Sequence, residues 1–366
     1  MDTAQRGGVV LAFPDGCQRP PVAAPAPAAT EGIGAHEARL TRAARAAWSV
    51  LPLVDTMAAV EAGMLADAAT AEQPGRGIAV ATEVGEAAAT VQRHGLPATV
   101  ATPVDWSGFG QVIPVLAGSP GAGASVLTAI LSDALQLAGR CALVVDTADP
   151  VRSGLAMATR SEGPSVTGPH PSVRIRYAWR AQALLARVET SLPLVAPGMV
   201  PSPGFWRPPG RQLQATVVDI GHDAWRVSAH PLVGAGEWLR GGTPPPRPVL
   251  VVRATRPALM HAEQVLARLE SWVGIGAAAP IAQLVVMGAK RWPPGVAGVA
   301  GCRLAGLLEG AAFVPHDPEL AVGGITAEVT PTSVRDAVGP LLRSWGLLPV
   351  PDGKDKRLSI RKGIRS

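Results

Sequence analysis

The sequence predicts an α/β protein in which helices cover both faces of a mostly parallel sheet. From about residue 110 onward, short runs of Val, Ile and Leu alternate with longer amphipathic segments. The runs are apolar at nearly every position, which is typical of strands buried on both faces. With 366 residues the chain is long enough to bury a large core. We therefore predict that residues 110–350 form the main domain.

The strands and helices of this domain follow from those patterns in chain order. The first strand, QVIPVLAG, leads through a glycine-rich turn into the helix ASVLTAILSDALQLAGR, which ends near Gly139. Four more short apolar runs predict strands, at CALVVDTADP, LQATVVDIG, PRPVLVVRAT and IAQLVVMGA. Helices are predicted at YAWRAQALLARVET (177–190), RPALMHAEQVLARLESW and TSVRDAVGPLLRSWGLL. LAGLLEGAAFVPHDP should be a helix that leads into a strand, and the Pro-rich stretches 197–210 and 243–248 should be loops.

The rest of the chain is predicted to differ from this domain. Residues 1–35 are rich in Pro and Ala and are expected to be disordered. Residues 36–109 are expected to form a helical or small α/β region, in which no motif points to chemistry. Residues 351–366 are expected to be a basic, flexible tail.

Charge and cysteine content narrow the class of protein. The net charge of +5 is carried almost entirely by arginine, since the chain has four lysines and no asparagine. That bias is typical of GC-rich coding sequences, so the high pI is only partly a signal for nucleic acid. Three widely spaced cysteines argue against a disulfide framework or a zinc site and favour a reducing, cytoplasmic location.

A membrane span is not predicted. Residues 106–132 carry no charged side chain and are long enough to cross a bilayer. However, Pro114 and the Gly and Pro residues at 118–123 break the segment into two short pieces, which in lipid would leave backbone groups unpaired. The N-terminus has no basic region followed by an adequate apolar stretch, so no signal peptide is predicted either.

The turn after the first strand has the layout of a phosphate-binding loop. Gly118 and Gly123 have Walker A spacing, and Ser125 follows at the position of a magnesium ligand. At such a strand–loop–helix junction, backbone N–H groups and the helix N-terminus favour an anion. In a chain with 41 glycines the pattern is also compatible with a tight turn that binds nothing. The candidate nucleotide-binding residues are Gly118, Ser119, Gly121, Ala122, Gly123, Ala124 and Ser125.

Four further segments, in the correct order, make this region resemble the ParA/MinD family of P-loop ATPases. CALVVDTADP resembles the family's strand with an Asp-rich end, and ATVVDIGHD resembles its Walker B strand. PVLVVRATRPALMHAEQVLARLES resembles the next strand and helix, and FVPHDPELAVGG resembles a late segment. The resemblance extends from about residue 110 to 348. It implies a P-loop fold of the SIMIBI class, ATP or ADP with Mg²⁺ as ligands, and a homodimer or a partner protein.

The chain departs from this family at the lysines. Family members have one lysine near the start of the loop and one before the Ser or Thr, and the matching positions here are Ser119 and Ala124. No lysine precedes Lys290, and the nearest basic residues are Arg140 and Arg152. An arginine fork suits this small cradle poorly. Because the charge that stabilises the transferred phosphoryl group is missing, we expect weak hydrolysis or none.

The resemblance still implies a magnesium and phosphate shell. It makes Ser125 and Asp219 metal ligands, with Asp219 acting through water. It makes Asp146 the catalytic carboxylate that activates water, with Asp149 as a close alternative. Each aspartate is also compatible with helix capping or with simple solvent exposure. The family's adenine-reading asparagine has no counterpart, since Met287 stands near that position.

The densest group of arginines in the domain is formed by Arg174, Arg176, Arg180 and Arg187. A solvated helix face explains these arginines, and a non-specific DNA surface at Arg174, Arg176 and Arg180 is the alternative, because neutralising phosphates requires no sequence code. The basic tail could add to DNA binding or touch an acidic membrane surface.

Together these features predict a ParA/MinD-like protein with a degenerate nucleotide site. We expect a weak or inactive ATPase, in effect a pseudo-ATPase, that serves as a positioning or scaffold partner. The resemblance implies its settings, which are DNA partitioning, conjugative transfer or secretion. Two alternatives stay open: an active ATPase that uses a substitute arginine, and a structural interaction module that binds no nucleotide.

Overall fold

A nine-stranded sheet forms the centre of the computed structural model, which describes residues 103–349. The predicted disordered segment 1–35 and the predicted tail 351–366 lie outside the described residues. So does the predicted region 36–109, except for its C-terminal end from residue 103.

Strands of this sheet run mostly parallel, as predicted. The described strands, in chain order, are β1 (Val104–Asp105), β2 (Gln111–Ala117), β3 (Ala142–Asp146), β4 (Ser165–Thr167), β5 (Val173–Arg180), β6 (Ala183–Thr190), β7 (Ala215–Ile220), β8 (Gly242–Thr243), β9 (Val249–Arg253), β10 (Gln283–Met287) and β11 (Ala312–Val314). The sheet has the order β11–β10–β9–β2–β7–β3–β6–β5–β4. All strands from β11 to β6 are parallel, and β5 pairs antiparallel with both β6 and β4. The predicted α/β fold class is therefore confirmed.

Helices cover both faces of the sheet. In the described residues they are α1 (Ala124–Leu137), α2 (Ala224–Ala229), α3 (Arg256–Gly274), α4 (Cys302–Leu308), α5 (Pro318–Gly323) and α6 (Thr332–Ser344). Apolar residues of α1 and α6 pack in one core, and those of α2, α3 and α4 pack in the other. Successive strand residues alternate between the two cores, so that Val217 faces α1 and Val218 faces the opposite side. This double coverage explains why every residue of β3 and β7 is buried.

The packed region begins before residue 110, where we had expected the main domain to start. Strand β1 pairs with β8 through Val104 and Gly242. Trp106 is completely buried and stacks on Trp238, with ring centroids 5.7 Å apart. Phe109 meets the same ring edge-on at 5.3 Å. The last residues of the predicted 36–109 region thus contribute to the core of the sheet domain.

The predicted helix at 177–190 is wrong. This segment forms the end of β5, a turn at Ala181 and Gln182, and the whole of β6. Its apolar residues fit helical spacing, but pairing of β6 with β3 extends the sheet and satisfies the backbone groups of both strands. The Gln136 side chain in α1 also accepts hydrogen bonds from the turn, from the N–H groups of Gln182 at 2.6 Å and Ala183 at 2.8 Å. Tertiary contacts therefore override the local helical pattern.

The uncharged segment 106–132 consists of a short 3-10 turn, strand β2, the glycine-rich loop and the first half of α1. Across residues 103–349, none of the helices has the length and the apolarity needed to cross a membrane.

Candidate nucleotide site

The glycine-rich loop joins the end of β2 to the start of α1, as predicted for a phosphate-binding loop. Gly121 and Gly123 have backbone φ angles of 71° and 102°, which residues other than glycine rarely adopt. Gly118 needs its small size instead, because a Cβ atom there would lie 3.0 Å from Cγ1 of Val252. The loop is closed by a hydrogen bond of 3.1 Å from the Ala122 N–H to the Ser119 carbonyl. The glycine spacing in the sequence therefore reflects a backbone shape that requires glycine.

The N-terminus of α1 has the features of an anion site. Its N-cap is Gly123, which offers no side-chain hydrogen bond to the first turn, and that turn contains no acidic residue. The first N–H groups of a helix have no partner within the helix and carry a partial positive charge. With neither a capping oxygen nor a carboxylate nearby in the first turn, these donors are available to a phosphate.

Two carboxylates lie beside this loop on neighbouring strands. Asp146 in β3 and Asp219 in β7 are Cα partners in the parallel register. Asp146 is 2% exposed and is held by the Ala148 N–H at 3.0 Å and by a short hydrogen bond from the Ser153 hydroxyl. Asp219 is completely buried, and neither of its carboxylate oxygens has a hydrogen-bond partner among the described residues. An orphaned buried carboxylate is costly unless a proton or a cation occupies it.

Burial changes the charge state of this pair. Removal from water raises the pKa of Asp219 to about 7, the neighbouring Asp146 charge adds to the shift, and Ser125 opposes it. Burial also raises the pKa of Asp146, against the hydrogen bonds from Ser153 and Ala148 and the charge of Arg187. Near neutral pH the pair therefore holds a proton part of the time, and a cation would displace it.

Ser125 completes the polar side of the loop. Its hydroxyl is close enough to lower the pKa of Asp219, although it makes no hydrogen bond of ordinary geometry with that carboxylate. The segment after β3 covers Ser125 closely, since a Cβ atom on Gly154 would lie 2.5 Å from the Ser125 Oγ. The predicted metal ligands, Ser125 and Asp219, are thus brought together.

The oxygen donors at this point suit Mg²⁺ bound together with phosphate. Magnesium is usually held by one or two carboxylates plus substrate phosphates and water, rather than by a full protein cage. Within residues 103–349 no three or more His, Cys, Asp or Glu side chains are arranged to hold a metal by themselves. Ser125 and Asp219 therefore fit a cation that shares its coordination with a nucleotide.

A basic residue that the sequence analysis missed reaches the loop. Arg253 is the last residue of β9, and its Nε donates a hydrogen bond of 3.3 Å to the Gly121 carbonyl. Arg140 and Arg152, the nearest basic residues in the sequence, do not reach the loop. Arg140 follows α1 at its far end and bonds the Leu347 carbonyl at 2.8 Å, and Arg152 is exposed in the turn after β3. The signal for Arg253 was its place at a strand end on the same edge of the sheet.

Residue Met287 also lies against the loop, at the end of β10. A Cβ atom on Gly123 would lie 3.3 Å from its Cγ. The family that the sequence resembles has an asparagine near this position, whose amide contacts adenine. Here Met287 instead places an apolar thioether side chain at the helix N-terminus.

A cavity of about 370 Å³ extends from Asp146 towards the β5–β6 hairpin. Asp146 is in register with Arg187 of β6, which in turn is in register with Arg176 of β5. Both arginines line the cavity and are paired with glutamates: Arg176 with Glu189 at 2.5 Å and Arg187 with Glu162 at 3.0 Å. The row of charged residues that starts with Asp146 at the end of β3 thus continues across the middle of β6 and β5.

The predicted DNA surface is not a surface patch of arginines. Arg174 is exposed, but Arg176 is partly buried and paired with Glu189. Arg180 is 1% exposed and bonded to Asp133 at 2.8 Å. The residues lie on a strand rather than on a helix, and the register of β5 sends Arg180 under α1 instead of into solvent. The interpretation as a DNA-binding face, and that as a solvated helix face, are both corrected by these contacts.

Asp149, the alternative catalytic carboxylate, has a structural role. One of its oxygens accepts from the Val151 N–H at 3.0 Å and caps the turn after β3. The other accepts from the Val195 N–H at 2.8 Å and ties that turn to the segment after β6. Asp149 thus joins two backbone segments, whereas Asp146 lies beside Asp219 as its register partner.

Among known proteins, the similarities of this chain are to solved structures. No protein-family model and no curated protein sequence matches this chain. A chain of the MinC:MinD cell division protein complex of Aquifex aeolicus has 17% identity and a TM-score of 0.42, over 66% of this chain and 98% of that one. The septum site-determining protein MinD complexed with Mg-ADP, from Pyrococcus horikoshii, has 15% identity and a TM-score of 0.43, over 66% and 100%. A ParA family ATPase from Chlorobium tepidum has 15% identity and a TM-score of 0.38, over 63% of this chain and 97% of that one.

These neighbours carry the names of the family that the sequence motifs resemble. At such identities and TM-scores these similarities assign no ligand to this chain, so the assignment of a ligand depends on the geometry of its own site.

Proposed function

We propose that this protein binds a magnesium–adenine nucleotide, ATP or ADP, at the loop between β2 and α1, with little or no hydrolysis. The observation that carries the proposal is the completely buried carboxylate of Asp219, which has no hydrogen-bond partner within residues 103–349 and lies beside Ser125 at an uncapped helix N-terminus. A tight turn that binds nothing would have no reason to keep an orphaned carboxylate at that place.

Different residues of the site suit the phosphate groups and the magnesium ion of the ligand. The backbone N–H groups of the loop and of the first turn of α1 suit the phosphate oxygens. Ser125 and Asp219 would hold Mg²⁺, which when bound neutralises phosphate charge. We assign the orienting of a water molecule to Asp146, because it is the register partner of Asp219, and the Ser153 hydroxyl and the Ala148 N–H fix its carboxylate in place.

Slow chemistry follows from what stands at the lysine positions. Ser119 lies in the loop and Ala124 is the first residue of α1, with 8% of its surface exposed. Neither can place a positive charge on the phosphoryl group that is transferred, and removing such stabilisation generally costs orders of magnitude in rate.

The biological role that we propose is that of a nucleotide-dependent positioning or scaffold partner, acting as a homodimer or with another protein. The settings implied by the family resemblance are DNA partitioning, conjugative transfer and secretion. In none of these settings do we assign DNA contact to Arg176 or Arg180, because both side chains are engaged within the fold.

Calorimetric titration of the full chain with ADP and ATP, with and without Mg²⁺, tests the proposal. We expect saturable binding that weakens when Mg²⁺ is chelated, and an Asp219→Asn variant that loses the magnesium dependence. Asp223→Asn is the matched control, since Asp223 caps α2 on the other face and asparagine caps a helix equally well. No heat of binding at millimolar nucleotide would overturn the proposal and favour the structural module.

An active ATPase is the second candidate, and the position of Arg253 at the loop favours it specifically. Phosphate release measured in a single turnover separates it from the first. Release that is fast in the wild type and lost in Asp146→Ala would establish catalysis, whereas release at the background rate in both supports the pseudo-ATPase.

A further inference from the structure

The end of β9 places Arg253 level with the phosphate-binding loop. Strand β9 pairs directly with β2, with Val251 opposite Ala117, so Arg253 lies two residues beyond the point where β2 becomes the loop. Val249 and Val251 face the core that contains α1, and Arg253 continues their alternation. Its side chain therefore lies on the face of the sheet where α1 begins, and the hydrogen bond to Gly121 shows that it reaches the loop.

Most hydrogen-bond donors of the Arg253 guanidinium have no partner among the described residues. It is exposed, and within residues 103–349 it makes no ion pair with a carboxylate and no side-chain hydrogen bond besides the one from Nε to Gly121. The two Nη groups, which are the fork that binds phosphate oxygens, are unused. Gly288, with φ of 78°, gives this fork its room, because a Cβ atom there would lie 2.7 Å from Nη1.

Charges are distributed asymmetrically about the loop. Strand β2 lies between β9 and β7 in the sheet, so Arg253 flanks the loop on one side and Asp219 on the other. A magnesium–nucleotide carries a cation and several anionic phosphate oxygens. Ser125 and Asp219 suit the cation, while Arg253 suits the oxygens that face away from it.

We infer that Arg253 binds the nucleotide phosphates and supplies, from the neighbouring strand, a positive charge for nucleotide binding that Ser119 and Ala124 cannot supply. This assignment rests on the proposed function, because it concerns the same site. It differs from the arrangement implied by the family resemblance in that the charge comes from β9 rather than from within the loop. A fork that approaches from the side does not need to fit inside the small cradle.

The test compares variants of the full chain in calorimetric titrations with Mg-ATP, Mg-ADP and inorganic tripolyphosphate. Loss of a charge-assisted hydrogen bond should raise the Kd of Arg253→Ala for all three by roughly ten- to a hundredfold, and Arg253→Lys should recover part of the affinity. Arg256→Ala is the matched control. Arg256 is also exposed and bonds a glycine carbonyl through Nε at 3.3 Å, that of Gly295, but it belongs to α3 on the other face.

A rescue variant separates a lost charge from a damaged loop. In Arg253→Ala the additional change Ala124→Lys returns a positive charge at the start of α1, and we expect tighter Mg-ATP binding than in Arg253→Ala alone. Thermal unfolding without ligand should be the same in wild type and Arg253→Ala, since the side chain makes one exposed hydrogen bond.

The outcomes distinguish this inference from the proposed function. Wild-type binding with an unchanged Kd in Arg253→Ala, or an equal loss in Arg256→Ala, would overturn the role of Arg253 and leave the nucleotide site standing. Wild-type protein that binds neither nucleotide nor tripolyphosphate would overturn both.

Discussion

Asp146 and Asp219 face each other across β3 and β7 as register partners, and both carboxyl groups are buried. Their environments differ, however. Asp146 accepts two hydrogen bonds, whereas Asp219 accepts none from the described residues. Two carboxylates in such proximity cannot both ionise without cost, so near neutral pH the free protein holds a proton on the pair part of the time, and a bound cation would replace it. This relationship underlies the pH dependence expected below.

Replacing Asp219 by asparagine should change how stability depends on pH. The pKa of Asp219 is about 7 in the folded protein, against a usual value of 3.8. Between those values the folded state binds more protons than the unfolded chain, so the free energy of unfolding contributed by this group falls as pH rises through the window and is constant above it. Asp219→Asn should therefore be more stable than wild type at about pH 8, by roughly 4 kcal/mol, and the two should converge near pH 4.

Urea unfolding of wild type and variant across that pH window measures the difference. Asp223→Asn serves as the control, because Asp223 is the exposed N-cap of α2 on the other face of the sheet. A stability difference between wild type and Asp219→Asn that does not vary with pH would contradict the prediction.

Gly154 should be needed for magnesium-dependent binding, although it lies outside the loop. A Cβ atom at this residue would lie 2.5 Å from Oγ and 2.7 Å from Cβ of Ser125, so Gly154→Ala must displace the serine or the segment after β3. We expect the Kd for Mg-ADP to rise roughly tenfold, with little change in the absence of Mg²⁺. Titration calorimetry gives both values. Gly204→Ala, where nothing lies within 4 Å of the added atom, should match the wild type.

Arg180 should contribute to folding rather than to nucleic-acid binding. Its Nη2 lies 2.8 Å from Oδ2 of Asp133, and also donates to the Glu328 carbonyl at 2.8 Å. Arg180→Ala leaves a buried carboxylate unpaired, which costs roughly 3–5 kcal/mol of unfolding free energy. The exposed Arg174→Ala should change it by less than about 0.5 kcal/mol. Chemical denaturation checks both, and equal effects of the two changes would show that the buried pair has no special weight.

The turn between β5 and β6 should be stabilised by glycine. Ala181 has φ of 50°, a left-handed conformation that costs an alanine more than a glycine. After the greater entropy of glycine in the unfolded chain is subtracted, Ala181→Gly should raise the free energy of unfolding by roughly 0.5–1 kcal/mol. Ala321→Gly, in the exposed part of α5, should lower it by a similar amount. Thermal denaturation compares the two, and a loss of stability in both would argue against strain at the turn.

Most of the sheet could be predicted because its strands are buried on both faces. In β7 every residue from Ala215 to Ile220 is buried. Such a short, continuous buried run does not have the spacing of apolar and polar residues that predicts an amphipathic helix. The β5–β6 hairpin could not be predicted, because its apolar residues satisfy a helical period as well. The segment forms strands because β6 pairs with the edge of β3 that β7 leaves free, and β3 is distant from β6 in the sequence.

The candidate site divides along the same line. Local sequence placed the glycines of the loop, Ser125, Asp146 and Asp219 at the carboxyl ends of parallel strands, and parallel strands bring those ends to one edge whatever their order. Which strand lies next to which is a property of the assembled sheet. Because β9 pairs with β2, Arg253 meets the loop, and because β5 is appended beyond β6, Arg180 lies buried against Asp133. Pairwise contacts of this kind depend on packing between segments far apart in the chain, and only the tertiary structure reveals them.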